Sequence, residues 1–198
     1  MATRLLIVGD DTLGRRMLPH AEGIADLDVA VDASMSWRRV LALVRSGRLP
    51  LTWLFTMSWA EWRRPSEARA AMPSVRSNRD LLARIENGVR QVFLFRAGLI
   101  VNQAVLASGV RVFNVHCASL PKYGGIGTIL RALRDGAYAQ TATLHRVTTR
   151  IDEGEVLATE AYVMDPSCSY RENEDTAYAA GIRLLEDVLK GRREFPAA

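Results

Sequence analysis

The sequence predicts an α/β fold: an open, mostly parallel twisted sheet with flanking helices and an antiparallel hairpin near the C-terminus. Three patterns predict it. Through the first 57 residues, short apolar runs alternate with stretches of helical apolar spacing. The run Val110–Val115 leads into Asn114, His116, Pro121 and Gly124-Gly125, as a strand does when it carries polar groups to a crevice at its carboxyl end. Thr141–Val147 and Val156–Val163 alternate in polarity and are joined by a polar loop, as paired strands do.

Taken in order, Arg4–Val8 is a short buried strand running into the loop Gly9-Asp10-Asp11-Thr12-Leu13-Gly14, and the spacing from Leu13 to Ile24 favours a helix. Leu27–Val31 alternates as a second strand, Trp37–Val44 has helical spacing, and Leu49–Met57 reads as a third strand with Pro50 at its edge. The stretch from Ser58 to Ser74 mixes Trp59, Trp62, Arg63, Arg64, Pro65 and Pro73 without a period and reads as loop with a helical turn. Ser77 can cap a helix that Gly88 closes, Val89–Phe95 is the fourth strand, and a helix from Leu99 to Ala107 stops at Ser108-Gly109. After the Val110–Val115 strand and its Gly-rich loop, Ile129–Leu133 looks helical. An amphipathic helix from about Glu172 through Val188, ending near Gly191, finishes the chain.

With 198 residues, 48% of them hydrophobic, the chain suits one domain around one sizeable core: residues 1–57 as a βαβαβ part, 89–163 carrying the motifs, and 170–191 the last helix. Its net charge of +4 is scattered over arginine pairs such as Arg15-Arg16, Arg38-Arg39 and Arg63-Arg64, which are solvated faces rather than a nucleic-acid stripe. Cys117 and Cys168 lack the spacing of a zinc site or a disulfide framework, so no metal and a reducing, cytoplasmic setting are expected. No apolar run approaches the ~20 residues that span a bilayer, and no membrane association is expected.

Two residues apart on a strand, Asn114 and His116 project to one side. A carboxamide can donate to a developing oxyanion and an imidazole can move a proton near neutral pH, a pair suited to acyl transfer. In isolation a hydrogen-bonded structural histidine reads the triplet better. The context is more specific. Asn114-Val115-His116 followed by Leu120-Pro121-Lys122-Tyr123-Gly124-Gly125, then Thr143-Leu144-His145 and Ile151-Asp152-Glu153-Gly154, resembles the formyltransferases that use 10-formyltetrahydrofolate, among them the glycinamide ribonucleotide, methionyl-tRNA and sugar-amine enzymes.

The resemblance implies a Rossmann-like, formyltransferase-type domain. Its Asn-x-His motif falls on Asn114 and His116 and its Asp-x-Gly motif on Asp152, which makes these three the expected catalytic set. It implies that Arg96, Ala97, Gly98, Leu99 and Ile100, together with Ile151, lie against the pterin, where the bottom-up reading of 96–100 is an ordinary strand-to-helix turn. It also implies attack of an acceptor amine on the formyl carbon, with Asn114 and protonated His116 stabilising the oxygen and Asp152 favouring the imidazolium. His145 is expected as supporting structure.

Asp10, Asp11 and Thr12 stand where the glycinamide-type enzymes bind a phosphate. Either the carboxylates cap the following helix or the loop meets a cationic or hydroxylated acceptor, with Tyr123, Gly124 and Gly125 on the other side. Ala118 replaces a serine, Gly124 an arginine and Thr141 a glycine of the family pattern, which implies a divergent substrate. Cys117 reads as small buried filler. A small amine acceptor is expected: an amino sugar, an amino acid or hydroxylamine derivative, or a carrier-bound aminoacyl group. A homodimer is compatible with the chain. The rivals are a formyltetrahydrofolate hydrolase, with water as acceptor, and a folate- or nucleotide-binding module without turnover.

Overall fold

A computed structural model describes residues 2–35, 37–65 and 71–195. The order is β1 (Arg4–Gly9), α1 (Thr12–Arg15), α2 (Leu18–Ala21), β2 (Leu27–Asp32), α3 (Trp37–Arg45), α4 (Leu51–Trp62), β3 (Ser74–Val75), α5 (Asn78–Glu86), β4 (Gln91–Phe95), α6 (Gln103–Leu106), β5 (Arg111–His116), α7 (Thr128–Arg134), β6 (Ala139–Arg146), β7 (Val156–Val163) and α8 (Tyr170–Leu189). The seven strands lie in the order β3-β2-β1-β4-β5-β6-β7. β3 through β5 are parallel, and β6 and β7 add an antiparallel hairpin to the β5 edge.

This is the expected sheet with several elements redrawn. Leu49–Met57 is not a strand: Pro50 is the N-cap of α4, which runs on to Trp62 and so takes in the start of the expected Ser58–Ser74 loop. A short apolar run has no period that separates a strand from a buried helix turn, and here the twelve-residue length decides for helix. The third strand is the edge pair Ser74–Val75; residues 66–70 of the expected loop lie outside the described residues. The Leu13–Ile24 helix is two single turns, the second with Pro19 in its first turn, where the missing N–H costs nothing. The Leu99–Ala107 helix shrinks to Gln103–Leu106, because the Asn102 side chain caps it by accepting from Val105 N.

The strand order reverses between β1 and β4, and the crevice at such a switch point lies beyond the strands' carboxyl ends. Alternate residues of each strand feed two cores. Phe93, Phe95, Phe113, Val115 and Leu144 pack beneath α8, while Leu5, Ile7, Leu94 and Val112 pack beneath α5 and α6. By that alternation Asn114 and His116 project on the Val112 side. Gly181 lets α8 press on the strand that carries them: a Cβ there would lie 2.7 Å from Cys117 Sγ and 3.2 Å from the Phe95 ring.

Candidate active site

Two sheet pairings assemble the site. In the β5–β6 ladder Asn114 stands opposite His145 and His116 opposite Thr143, so the amide and both imidazoles share one face. Asn114 Nδ2 lies 3.1 Å from His145 Nε2. His145 Nδ1 donates to the Arg146 carbonyl at 3.1 Å, so its Nε2 is the nitrogen that faces Asn114. That contact fixes which way the amide faces and leaves its second N–H for the pocket.

The third group arrives from the loop between β6 and β7. Arg146 N donates to Glu155 O, and Gly154 packs so tightly that a Cβ would sit 1.7 Å from the Arg146 carbonyl oxygen, so the loop folds back over the sheet. Asp152, at φ 56°, is thereby turned toward both histidines. Its Oδ2 is 3.4 Å from His116 Nδ1 and its Oδ1 is 3.4 Å from His145 Nε2. Asp is one of the few residues with a side chain that tolerates this left-handed backbone.

A second loop closes over the pair. His116 Nε2 donates to the Tyr123 carbonyl at 2.7 Å, and Gly125 N–H donates to Asp152 Oδ2 at 2.8 Å. Arg131 donates to the Gly124 carbonyl, and its guanidinium stands 5.9 Å over the Tyr123 ring. Gly124 permits the approach, since a Cβ there would already be 3.2 Å from Asp152 Cβ. The loop rests in turn on α4: the Trp53 ring lies over Gly127, where a Cβ would come within 2.5 Å. The β5 end is pinned by Thr143 Oγ1 donating to Ala118 O and Tyr162 OH donating to Cys117 O.

Burial pushes the His116 pKa down, and this outweighs the Asp152 carboxylate and the Tyr123 carbonyl, which act to raise it. The Asp152 charge acts toward the imidazolium as expected, but burial outweighs it and sets the net direction downward, while Nε2 donates to the Tyr123 carbonyl. Burial acts to raise the Asp152 pKa, yet the two imidazoles and the Gly125 amide hold it below the ordinary carboxylate value. The site thus pairs an ionised carboxylate with a ring whose Nδ1 can take a proton facing it. Buried Cys117 has its thiol pushed up to about 12 and is no nucleophile.

The first loop sits on the other side of the switch point. Asp11 Oδ1 accepts from Gly14 N and caps α1, while its Oδ2 pairs with Arg96 Nε at 2.5 Å. Asp10 pairs with Arg15 at 2.7 Å, and Thr12 N donates to Glu61 Oε1 at 2.6 Å. These carboxylates are committed within the protein. The Arg96 side chain is paired within the protein as well: at φ 54° it reaches Asp11 and Glu174 and stacks 4.5 Å over Tyr178. In the adjoining segment, Gly98 N and Leu99 N donate to Asp32 Oδ2 at 2.5 and 3.0 Å. Ile100 and Ile151 are left as exposed apolar side chains.

Sequence reasoning missed the Tyr123 carbonyl, Arg131, Trp53 and Asp32. Backbone carbonyls carry no sequence signal, and the other three act from distant elements. Among the described residues, no group of three or more His, Cys, Asp or Glu could hold a metal ion, and no helix is long and apolar enough to cross a membrane.

Residues 83–189 match the family model described as "Formyl transferase". Among curated proteins, the chain is 32% identical over 93 residues to the methionyl-tRNA formyltransferase of Roseobacter denitrificans, covering 46% of this chain and 30% of the relative. It is 30% identical over 76 residues to that of a Hydrogenobaculum species, covering 38% and 25%. The chain thus spans less than a third of the length of these relatives. Among solved structures, it resembles the phosphoribosylglycinamide formyltransferase of Bacillus halodurans with a TM-score of 0.65 at 17% identity, covering 96% of this chain and 94% of that one. A sugar N-formyltransferase from Shewanella superposes with a TM-score of 0.61 at 15% identity, covering 99% and 73%; at such identities these two establish the fold alone.

Proposed function

Because the chain belongs to the formyl transferase family, we propose that it transfers a formyl group from 10-formyltetrahydrofolate to the amine of a small acceptor, with Asn114, His116 and Asp152 at the reacting centre. The observation that carries this is the convergence on Asp152, whose two oxygens lie 3.4 Å from His116 and His145 while Asn114 is held by His145.

The folate supplies an electrophilic formyl carbon bound to nitrogen. The free N–H of Asn114 donates to the oxygen that gains charge as the acceptor nitrogen adds. His116 accepts the proton shed by that nitrogen at Nδ1 and Asp152 stabilises the resulting imidazolium; as the oxyanion collapses, the bond from the formyl carbon to the folate nitrogen breaks and the proton passes to that nitrogen, leaving the formylated amine and tetrahydrofolate. For this the Tyr123 carbonyl must remain on Nε2, or yield it to the substrate as the 123–125 loop shifts.

The residues beside the triad fit a pterin on one test and restrict it on another. Exposed Ile100 and Ile151 with the small Ala97-Gly98 pair offer an apolar seat for a flat ring. The Gly98 and Leu99 amides are taken by Asp32, so the ring's donor edge would be met by backbone carbonyls of 96–100 and of the Ile151–Asp152 turn. A small acceptor is favoured by the close approach of Gly124 to Asp152, where even a Cβ would lie 3.2 Å from the Asp152 Cβ.

The test is incubation with 10-formyltetrahydrofolate and a panel of amino sugars, amino acids and hydroxylamines, with mass detection of products. A formylated amine is expected, and Asn114→Ala should suppress it. Free formate alone would replace the transferase reading with a hydrolase, and no folate consumption would leave only binding.

A further inference from the structure

We infer that α4 is the self-association surface of this protein, and that a second copy docks on it through antiparallel packing of α4 against its twin. Leu51, Phe55, Trp59 and Trp62 are spaced by 4, 4 and 3 residues and fall within about 80° of one another around a helix of 3.6 residues per turn. They are 67%, 68%, 50% and 72% exposed. Phe55 and Trp59 stack at 6.1 Å and Trp59 and Trp62 lie 5.0 Å apart, so the four side chains form one continuous ridge.

The opposite side of the helix is already used. Trp53 covers Gly127, Ala60 is buried, and Glu61, the helix's single charged residue, turns inward to Thr12 and Arg64. A helix apolar on both sides fits a position between two layers of protein, and this one has a single layer among the described residues.

Two arguments choose a second copy as the other layer. The first is symmetry. About its midpoint the ridge is complementary to itself: an antiparallel twin sets Leu51 against Trp62 and Phe55 against Trp59, each small or flat side chain against a larger ring, with the Arg63 guanidinium 5.9 Å over the Trp59 ring as the charge at its rim. That is the requirement of a two-fold interface, in which one patch meets itself. The second is area. With large aromatics burying 150–250 Å² each, the ridge exposes roughly 500 Å² on each copy, a large part of the ~800 Å² per partner that a stable interface covers. A patch of this size is commonly a functional contact surface.

The inference does not depend on the catalytic reading and is tested without it. Sedimentation of the full chain at tens of micromolar should give twice the 22.0 kDa chain mass. Phe55→Glu with Trp59→Glu should return it to the single-chain mass with an unchanged far-ultraviolet spectrum, since both side chains face solvent in the isolated subunit. In a Cys168→Ser background, Ser58→Cys, which flanks the ridge, should be cross-linked to its twin by a short bismaleimide. A monomer at all concentrations would overturn the inference. So would a dimer that survives the double substitution, one that leaves Ser58→Cys unlinked, or a monomer whose ridge is taken by a different protein.

Discussion

At the level of single residues, the balance acting on His116 sets an expected pH dependence. Its pKa lies below the ordinary 6.5 because burial outweighs the Asp152 charge. If neutral His116 accepts the amine's proton, activity is lost as pH falls through that lowered value, so the acidic limb of kcat should lie below 6.5. Asp152→Asn removes the group that opposes desolvation and should move the limb further toward acid while lowering kcat. A limb that stays in place in this variant would show that Asp152 does not act on the ring. For Asn114→Ala the expected loss in kcat is on the order of 100-fold or more, the usual consequence of deleting an oxyanion donor. Gly124→Ala puts a methyl 3.2 Å from Asp152 Cβ and should weaken the Gly125–Asp152 hydrogen bond, lowering kcat about tenfold with little change in melting temperature. Asn114 and His116 could be placed on one side of a strand from alternation alone, whereas Asp152 was reached only through the order of motifs that carries the family resemblance, since a polar hairpin reads its segment as well. His145 holding the Asn114 amide could be read only as support, because its partner is chosen by strand register.

At the level of elements, the same contrast separates what was legible from what was not. β1, β2, β4, β5, β6, β7 and α8 carry their periods in full, and their expected positions agree with the structure to within a few residues. α4 carries no period, since one side packs on Gly127 while the other is an apolar ridge, and an all-round apolar run reads as a buried strand. The first loop was legible only in its helix cap, because the Arg96 that pairs with Asp11 is 85 residues away. The docking of α8 on the motif strand is expected to be the most sensitive element contact. Gly181→Ala would push a methyl to 2.7 Å from Cys117 Sγ. Overpacking of this kind typically costs about 1–3 kcal/mol, and pairing it with Cys117→Ala should recover most of the loss in denaturant unfolding. No recovery in the double variant would mean that Phe95 and Val115, not the sulfur, set the limit.

Across the whole molecule, one buried ionic network joins pieces that the sheet alone does not hold. Arg64, with a fully buried side chain at the end of α4, bonds Glu61, Glu174 and Asp175, while Arg96 after β4 bonds Glu174 and Asp11. The network thereby ties α4, the first loop, the β4 turn and the start of α8 into one unit beside the proposed site. Desolvation makes such a network a poor source of net stability, but breaking it is costly because the remaining charge stays buried. Arg64→Ala leaves Glu174 with Arg96 as its remaining cation and should destabilise the fold by about 3–5 kcal/mol. Adding Glu174→Gln should give part of that back, by removing the charge left without its partner. The loss should also depend on pH in a definite sense. Glu61 and Asp152 both have lowered pKa values, so each favours the folded state above its unfolded value, and that contribution disappears as pH falls through the lowered folded value. Urea midpoints of the unsubstituted chain should therefore begin to fall as pH drops through 6.5, where the unfolded chain protonates His116 and the folded chain resists, and drop more steeply below the ordinary carboxylate range of 3.8 to 4.5. Since Arg64 is one of the charges that lowers the Glu61 pKa, Arg64→Ala should flatten this acid slope as well as reduce the midpoint. A variant equally unstable at every pH would place the cost of the substitution in lost packing rather than in the network.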